Sequence, residues 1–157
     1  MERNIVLISP DVHWNTGNIG RTCLGTDTSL HLVKPLGFLL DDKHLKRAGL
    51  DYWKNVKLFV WDDFQDFLKN SKPEKGELVF FSKLGKKNYI EIPKLNRLFL
   101  VFGSETKGLP DSIIEKYQES TYYIPVKNSI RSLNLSTSVG VALYESLRGF
   151  EDFHQWK

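Results

Sequence analysis

The chain of 157 residues is long enough for one domain with a sizeable core, and 41% hydrophobic with 13% aromatic content is ordinary for a soluble globular protein. A net charge of +3 and a pI near 8.9 permit a nucleic-acid partner without demanding one. The single cysteine, Cys23, excludes an intramolecular disulfide, and the absence of a long apolar segment makes a cytoplasmic protein with no signal region or membrane span the expectation.

Short apolar runs of β type alternate with helix-like stretches from one end to the other, with no repeat, linker or low-complexity tract, so a single domain over 1–157 is expected. "NIVLIS" at 4–9 predicts the first strand. The stretch "NTGNIGRTCLG" at 15–25 follows as a helix in which Cys23 is a small buried hydrophobe with no chemistry. A second strand, "LHLV" at 30–33, precedes "DDKHLKRAG". There Asp41 and Asp42 favour a helix start, and Lys43, Lys46 and Arg47 share one face. Then come "VKLFV" at 56–60, the helical "WDDFQDFLKN", and strands "ELVFF" at 77–81 and "RLFLVF" at 97–102. "PDSIIEKY" predicts a short helix, "TYYIPV" at 121–126 the last strand, and "SLNLSTSVGVALYESLRGF" the last helix. Leu135, Val139, Ala142, Leu143 and Leu147 line one side of that helix, and Ser132, Asn134 or Ser136 serves as its cap. Several strands are apolar at nearly every position, which predicts an α/β fold: a mainly parallel sheet with helices on both faces. Ligands in such folds sit at the carboxyl ends of the strands.

Three polar turns lie at strand-to-helix junctions: "NTGNIGRT" at 15–22, "FGSETKGLP" at 102–110 and "IPVKNSIRSLNLSTSVGVALYE" at 124–145. The second is not a phosphate-cradling P-loop, because Lys107 precedes Gly108 and no hydroxyl follows. A bare glycine leaving a buried strand either brings backbone against a ligand or turns a corner. His13, His31, His44 and His154 show no paired ligand spacing, so no metal is expected.

Together the three turns resemble the motifs of the SPOUT superfamily of RNA methyltransferases. Within it the chain is similar to the short bacterial tRNA (cytidine/uridine-34) 2′-O-methyltransferases, a likeness extended by "GFLLDDKHLKRAGLDYW" at 37–53. The resemblance implies a C-terminal trefoil knot, which ordinary rules of chain threading would not suggest. It implies that S-adenosylmethionine is held in the knot and that methyl transfer goes to the wobble ribose of a tRNA anticodon stem-loop. It also implies a homodimer with its site built across the interface.

By the same resemblance Phe81, Gly103, Ile124, Ser132 and Leu133 match cofactor-facing positions, and Asn15, Arg21, Glu105 and Asn134 match polar positions of the reaction centre. Arg21 would reach the mouth of the pocket, either to anchor phosphate alone or also to stabilise the attacking oxygen, since a guanidinium is an awkward base. Glu105 would hold Arg21 or the turn backbone in preference to acid-base work, and Asn15 and Asn134 are also candidate helix caps. Lys43, Lys46 and Arg47 form either an RNA-binding face or a solvated one. One departure from the family pattern stands at 13–14, where His13 and Trp14 replace the usual proline-containing sequence. Trp14 could stack on a base or pack on its own helix. The alternatives are a SPOUT enzyme acting on another tRNA position or on ribosomal RNA, and a noncatalytic RNA-binding module.

Overall fold

The computed structural model describes residues 1–40, 51–127 and 129–156. Among these, seven strands form one sheet in which every pairing is parallel. In chain order the elements are β1 (Glu2–Ile8), α1 (His13–Gly25), β2 (Ser29–Val33), β3 (Leu58–Trp61), α2 (Phe64–Ser71), β4 (Leu78–Phe81), β5 (Lys87–Asn88), β6 (Arg97–Phe102), α3 (Asp111–Lys116), β7 (Thr121–Tyr123) and α4 (Leu135–Leu147). Across the sheet the order is β3-β2-β1-β6-β4-β7-β5.

The all-apolar strands are explained by two cores, one on each face. Successive side chains of a strand point to opposite faces. Ile5 and Leu7 of β1 and Leu98, Leu100 and Phe102 of β6 therefore pack with Ile19 and Cys23 of α1 and with Val139, Ala142 and Leu143 of α4. Their neighbours Val6, Ile8, Phe99 and Val101 pack on the other side with Phe67 of α2 and Ile113 of α3. Burial lifts the Cys23 thiol to about 12, consistent with an inert core residue.

His31 and Arg3, both buried inside this framework, are paired. His31 of β2 accepts at Nδ1 from the Trp61 indole N–H at 3.1 Å, which leaves its Nε2–H to donate to Asn4 Oδ1 at 3.1 Å. Stacked on Phe59 and edge-on to Phe67, the ring is held neutral by burial, with its pKa lowered to about 4. Arg3 bridges the sheet to the end of α4, donating to Ser146 Oγ at 3.1 Å and to the Ser146 carbonyl at 3.0 Å.

Two features place the ligand side. Chain direction across the sheet reverses at β1, with β2 on one flank and β6 on the other, and such a reversal opens a crevice at the carboxyl ends. Second, β7 lies between β4 and β5, which are consecutive in sequence. The connection from β4 to β5 therefore crosses β7 closely: Ser82 N–H donates to the Tyr122 carbonyl at 3.0 Å and Lys86 N–H to that of Thr121 at 3.1 Å. A side chain at Gly85 would overlap the Tyr122 backbone, so only glycine fits there. This interleaving accords with the threaded chain that the resemblance implies.

Strand limits shift where local chemistry demands it. The last strand stops at Tyr123 instead of reaching 126, because Pro125 has no N–H to extend the ladder. Strand β5 had no apolar run to announce it. The expected helix at "DDKHLKRAG", with Lys43, Lys46 and Arg47, lies outside the described residues.

Candidate active site

The carboxyl ends of β6, β4 and β7 and the start of α4 surround a cleft of about 850 Å³, within the range of ligand sites. All five residues matched to cofactor positions line it: Phe81, Gly103, Ile124, Ser132 and Leu133. So do Asn15, Glu105 and Asn134. Phe81 and Phe102 stack at 4.7 Å on its inner wall, and Leu109, Ile124 and Leu135 extend the apolar lining.

One polar chain ties the three turns together. Glu105, after β6, accepts from the backbone N–H of Asp11 at 2.7 Å, from that of Val12 at 3.2 Å, and from Asn15 Nδ2 at 3.2 Å. Asn15 in turn accepts at Oδ1 from Asn134 Nδ2 at 3.1 Å. Asn134 is the N-cap of α4, its Oδ1 accepting from Ser136 N–H at 2.9 Å and Thr137 N–H at 3.4 Å. Thus Asn134 is a cap, whereas Asn15, inside α1 behind its cap residue Val12, is not. Glu105 holds backbone and Asn15 rather than Arg21.

Asp11 returns the tie. Its carboxylate accepts from Thr106 Oγ1 at 2.6 Å, and this hydrogen bond lowers its pKa below the usual carboxylate range. The two loops are therefore laced in both directions, each carboxylate capping the other loop's backbone or hydroxyl. Such lacing fixes the carboxyl ends of β1 and β6 against each other and pre-organises the cleft wall.

Gly103 is explained differently from the expectation that a cofactor lies against it. The turn folds back on itself, Gly108 N–H donating to the Ser104 carbonyl at 2.9 Å with Gly108 at φ 69°. A side chain at Gly103 would overlap the Gly108 carbonyl and the Leu109 nitrogen. The glycine is required by the returning turn, and its backbone still faces the cleft.

Arg21 does not line the cleft of its own chain. Six residues beyond Asn15, on a helix of about 3.6 residues per turn, it sits about 120° around the axis. It is exposed, with its guanidinium 5.9 Å from the Tyr52 ring centre, and Tyr52 is anchored by its hydroxyl to the Gly17 carbonyl at 3.0 Å. Three cations without an expected site role also line the cleft, Lys83, Lys107 and Arg131. Arg131 stands one residue before Ser132 in the third turn, and that adjacency was the available signal.

The adenosine and methionyl parts of S-adenosylmethionine ask for an apolar slot, backbone groups and a cation for the carboxylate. The cleft supplies these through the Phe81–Phe102 pair with Leu109 and Ile124, the turn at Gly103–Leu109, and Arg131 or Lys83. Among the described residues no group of three or more His, Cys, Asp or Glu is placed to hold a metal, and no helix is long and apolar enough to cross a membrane.

Comparison with known proteins gives a consistent picture. The model of a family described as the SpoU rRNA Methylase family matches residues 2–144. A protein of Listeria monocytogenes serotype 4b (strain F2365), bearing the name of a tRNA (cytidine(34)-2′-O)-methyltransferase, is 50% identical over 151 residues, covering 94% of this chain and 88% of its own. A structure solved for insight into 2-OH methylation of C/U34 on tRNA superposes with a TM-score of 0.82 at 39% identity, covering 94% of this chain and 95% of that one. An AdoMet-bound rRNA methyltransferase from Sinorhizobium meliloti shares the fold with a TM-score of 0.82 at 22% identity, covering 95% of this chain and 57% of its own.

Proposed function

The chain belongs to the SpoU rRNA methylase family, and on that premise we propose that it transfers a methyl group from S-adenosylmethionine to the ribose 2′-hydroxyl of the wobble nucleotide, cytidine or modified uridine 34, of tRNA. The observation that carries this function is the Glu105–Asn15–Asn134 chain on the wall of the cleft, which unites all three motifs at one point. The wobble position is supported by the names and sequence likeness of the relatives. The cofactor is supported by the fit of the cleft and by the AdoMet-bound neighbour of the same fold.

Bound in the cleft, the cofactor would supply an electrophilic sulfonium methyl. Phe81, Gly103, Ile124, Ser132 and Leu133 would hold it through backbone and apolar contact. Asn15, fixed from both sides by Glu105 and Asn134, would place a polar amide at the reacting end, where positioning the ribose oxygen lowers the barrier. Arg21 would anchor phosphate and stabilise charge on the attacking oxygen.

Because Arg21 lies off its own chain's cleft, it would serve the cleft of a second copy in a homodimer. Exposed Leu24 on α1 and Tyr144 on α4, helices that pack side by side, offer an apolar surface for that copy. Lys43, Lys46 and Arg47 would add a phosphate-binding face, and residues 1–157 would act as one domain. Nucleoside mass spectrometry of tRNA from cells with and without the protein tests the function. Loss of wobble 2′-O-methylation on deletion, restored by the purified protein, is expected. Unchanged methylation would refute it.

A further inference from the structure

The sequence HW at 13–14 builds an aromatic patch at the start of α1. Trp14 is 62% exposed, an unusual state for the largest apolar side chain and one that leaves most of the indole unpacked. His13 meets it nearly perpendicular, at 5.0 Å between ring centres and 74° between planes, and Phe38 lies 6.5 Å from His13. A perpendicular neighbour and this much exposure leave an indole face open.

The position of the patch matters as much as its chemistry. The next residue, Asn15, is part of the cleft wall. On the other side of Trp14, Asp11 borders a second cavity of about 500 Å³, together with Gly37 of the segment that carries Phe38. Gly37 N–H donates to the Pro10 carbonyl at 2.9 Å, so this segment is pinned against the start of α1. The turn at 104–109 borders both cavities, and its Lys107 brings a cation to each. An exposed aromatic face beside a cation-rimmed cleft matches the chemistry of an unpaired base with its phosphate.

Resting on the RNA substrate proposed above, we infer that Trp14, supported by His13 and Phe38, is a stacking platform for an unpaired base of an RNA loop next to the nucleotide in the cleft. It recognises looped RNA in preference to paired RNA, because a paired base has no free face to offer.

The test compares the full-length protein with Trp14→Ala and Trp14→Phe. Two synthetic RNAs are titrated, an anticodon stem-loop carrying cytidine 34 and a fully paired duplex of the same stem. Trp14→Ala should bind the stem-loop about tenfold more weakly, the scale of losing one base stack, with duplex and cofactor affinities unchanged. Trp14→Phe should recover most of the loss. Equal affinity of Trp14→Ala and wild type for the stem-loop, or equal loss on both RNAs, overturns the inference. A changed sedimentation coefficient in Trp14→Ala with RNA affinity intact overturns it too, because a second copy would then cover the patch. Methylation of position 34 by the wild type, read separately, decides the proposed function without reference to Trp14.

Discussion

Asn134 donates to Asn15 at 3.1 Å across 119 residues of sequence, and this single hydrogen bond joins the cap of the last helix to the first helix. With the bond from Asn15 to Glu105, it makes a buried side-chain amide answer to two partners on two other loops.

Asn15→Ala should therefore act on stability and on rate together. Removing a buried amide strands its two partners at a cost of about 1 to 3 kcal/mol, which corresponds to a fall in Tm of roughly 3 to 9 °C at this size. Methylation at saturating RNA should fall by at least about a hundredfold if the amide positions the ribose oxygen. Calorimetry and single-turnover kinetics check both, and an unchanged Tm would show that the network carries no strength.

At Gly103 the geometry separates two explanations. Gly103→Ala drives a methyl into the Gly108–Leu109 backbone, so the turn must shift, with a loss of about 1 to 3 kcal/mol. The fall should appear in thermal unfolding without any ligand present. Intact stability with lost cofactor affinity would instead place the ligand in the methyl's path.

Arg21→Ala should leave cofactor binding intact and lower single-turnover methylation by roughly two to four orders of magnitude. Recovery of the wild-type rate at high tRNA would restrict Arg21 to phosphate anchoring. Mixing Arg21→Ala with Asn15→Ala subunits tests where it acts. If Arg21 serves the other copy's cleft, random heterodimers hold one site free of both changes, and roughly a quarter of wild-type activity should return. No recovery on mixing would place Arg21 with its own chain's site.

His31 predicts an acid limb in stability. Its folded pKa, pushed down to about 4 by burial, lies below the unfolded value near 6.5, so the unfolded chain takes up the proton first. Stability contributed by the neutral ring is complete above pH 6.5 and is lost as pH falls from there to 4, a difference of about 3 kcal/mol. Urea midpoints at pH 7, 6, 5 and 4 should show this slope shrinking in His31→Phe, after allowance for a constant offset from the lost hydrogen bonds. An identical slope between pH 7 and 5 in the variant would overturn this assignment, because a carboxylate such as Glu77, its pKa lowered by its hydrogen bond from Arg97, loses its contribution only below its unfolded value near 4.5.

Much of this architecture is legible in residue patterns, and the exceptions have physical causes. The run at 97–102 coincides with β6 because burial on both faces makes every position from 98 to 102 apolar. Asp63 and Asn134 cap α2 and α4, as short polar side chains before apolar periodicity suggest. β5 is invisible because two residues paired on one side need no apolar character. The identity of Gly103 is legible but its cause is not, since the backbone that forbids a side chain arrives five residues later. Arg21 reads as a pocket-mouth residue because it follows the glycine-containing part of the first motif, but helix rotation turns it away from Asn15. No spacing rule reveals that Asp11 and Glu105 brace each other's loops, because the two carboxylates are 94 residues apart in sequence.

The seating of β7 between β4 and β5 sets a timetable for the newborn chain. The place between the two earlier strands must stay open until Thr121–Tyr123 has been made, so the sheet cannot be completed while synthesis is still in its first three-quarters. Until then β4 presents an unpaired edge, which invites pairing with other chains. Slow translation of the last segment would lengthen that exposure, and rapid delivery of β7 and α4 would shorten it. Aggregation during expression should accordingly respond to codon choice after residue 120 more strongly than to equal changes in the first half of the message.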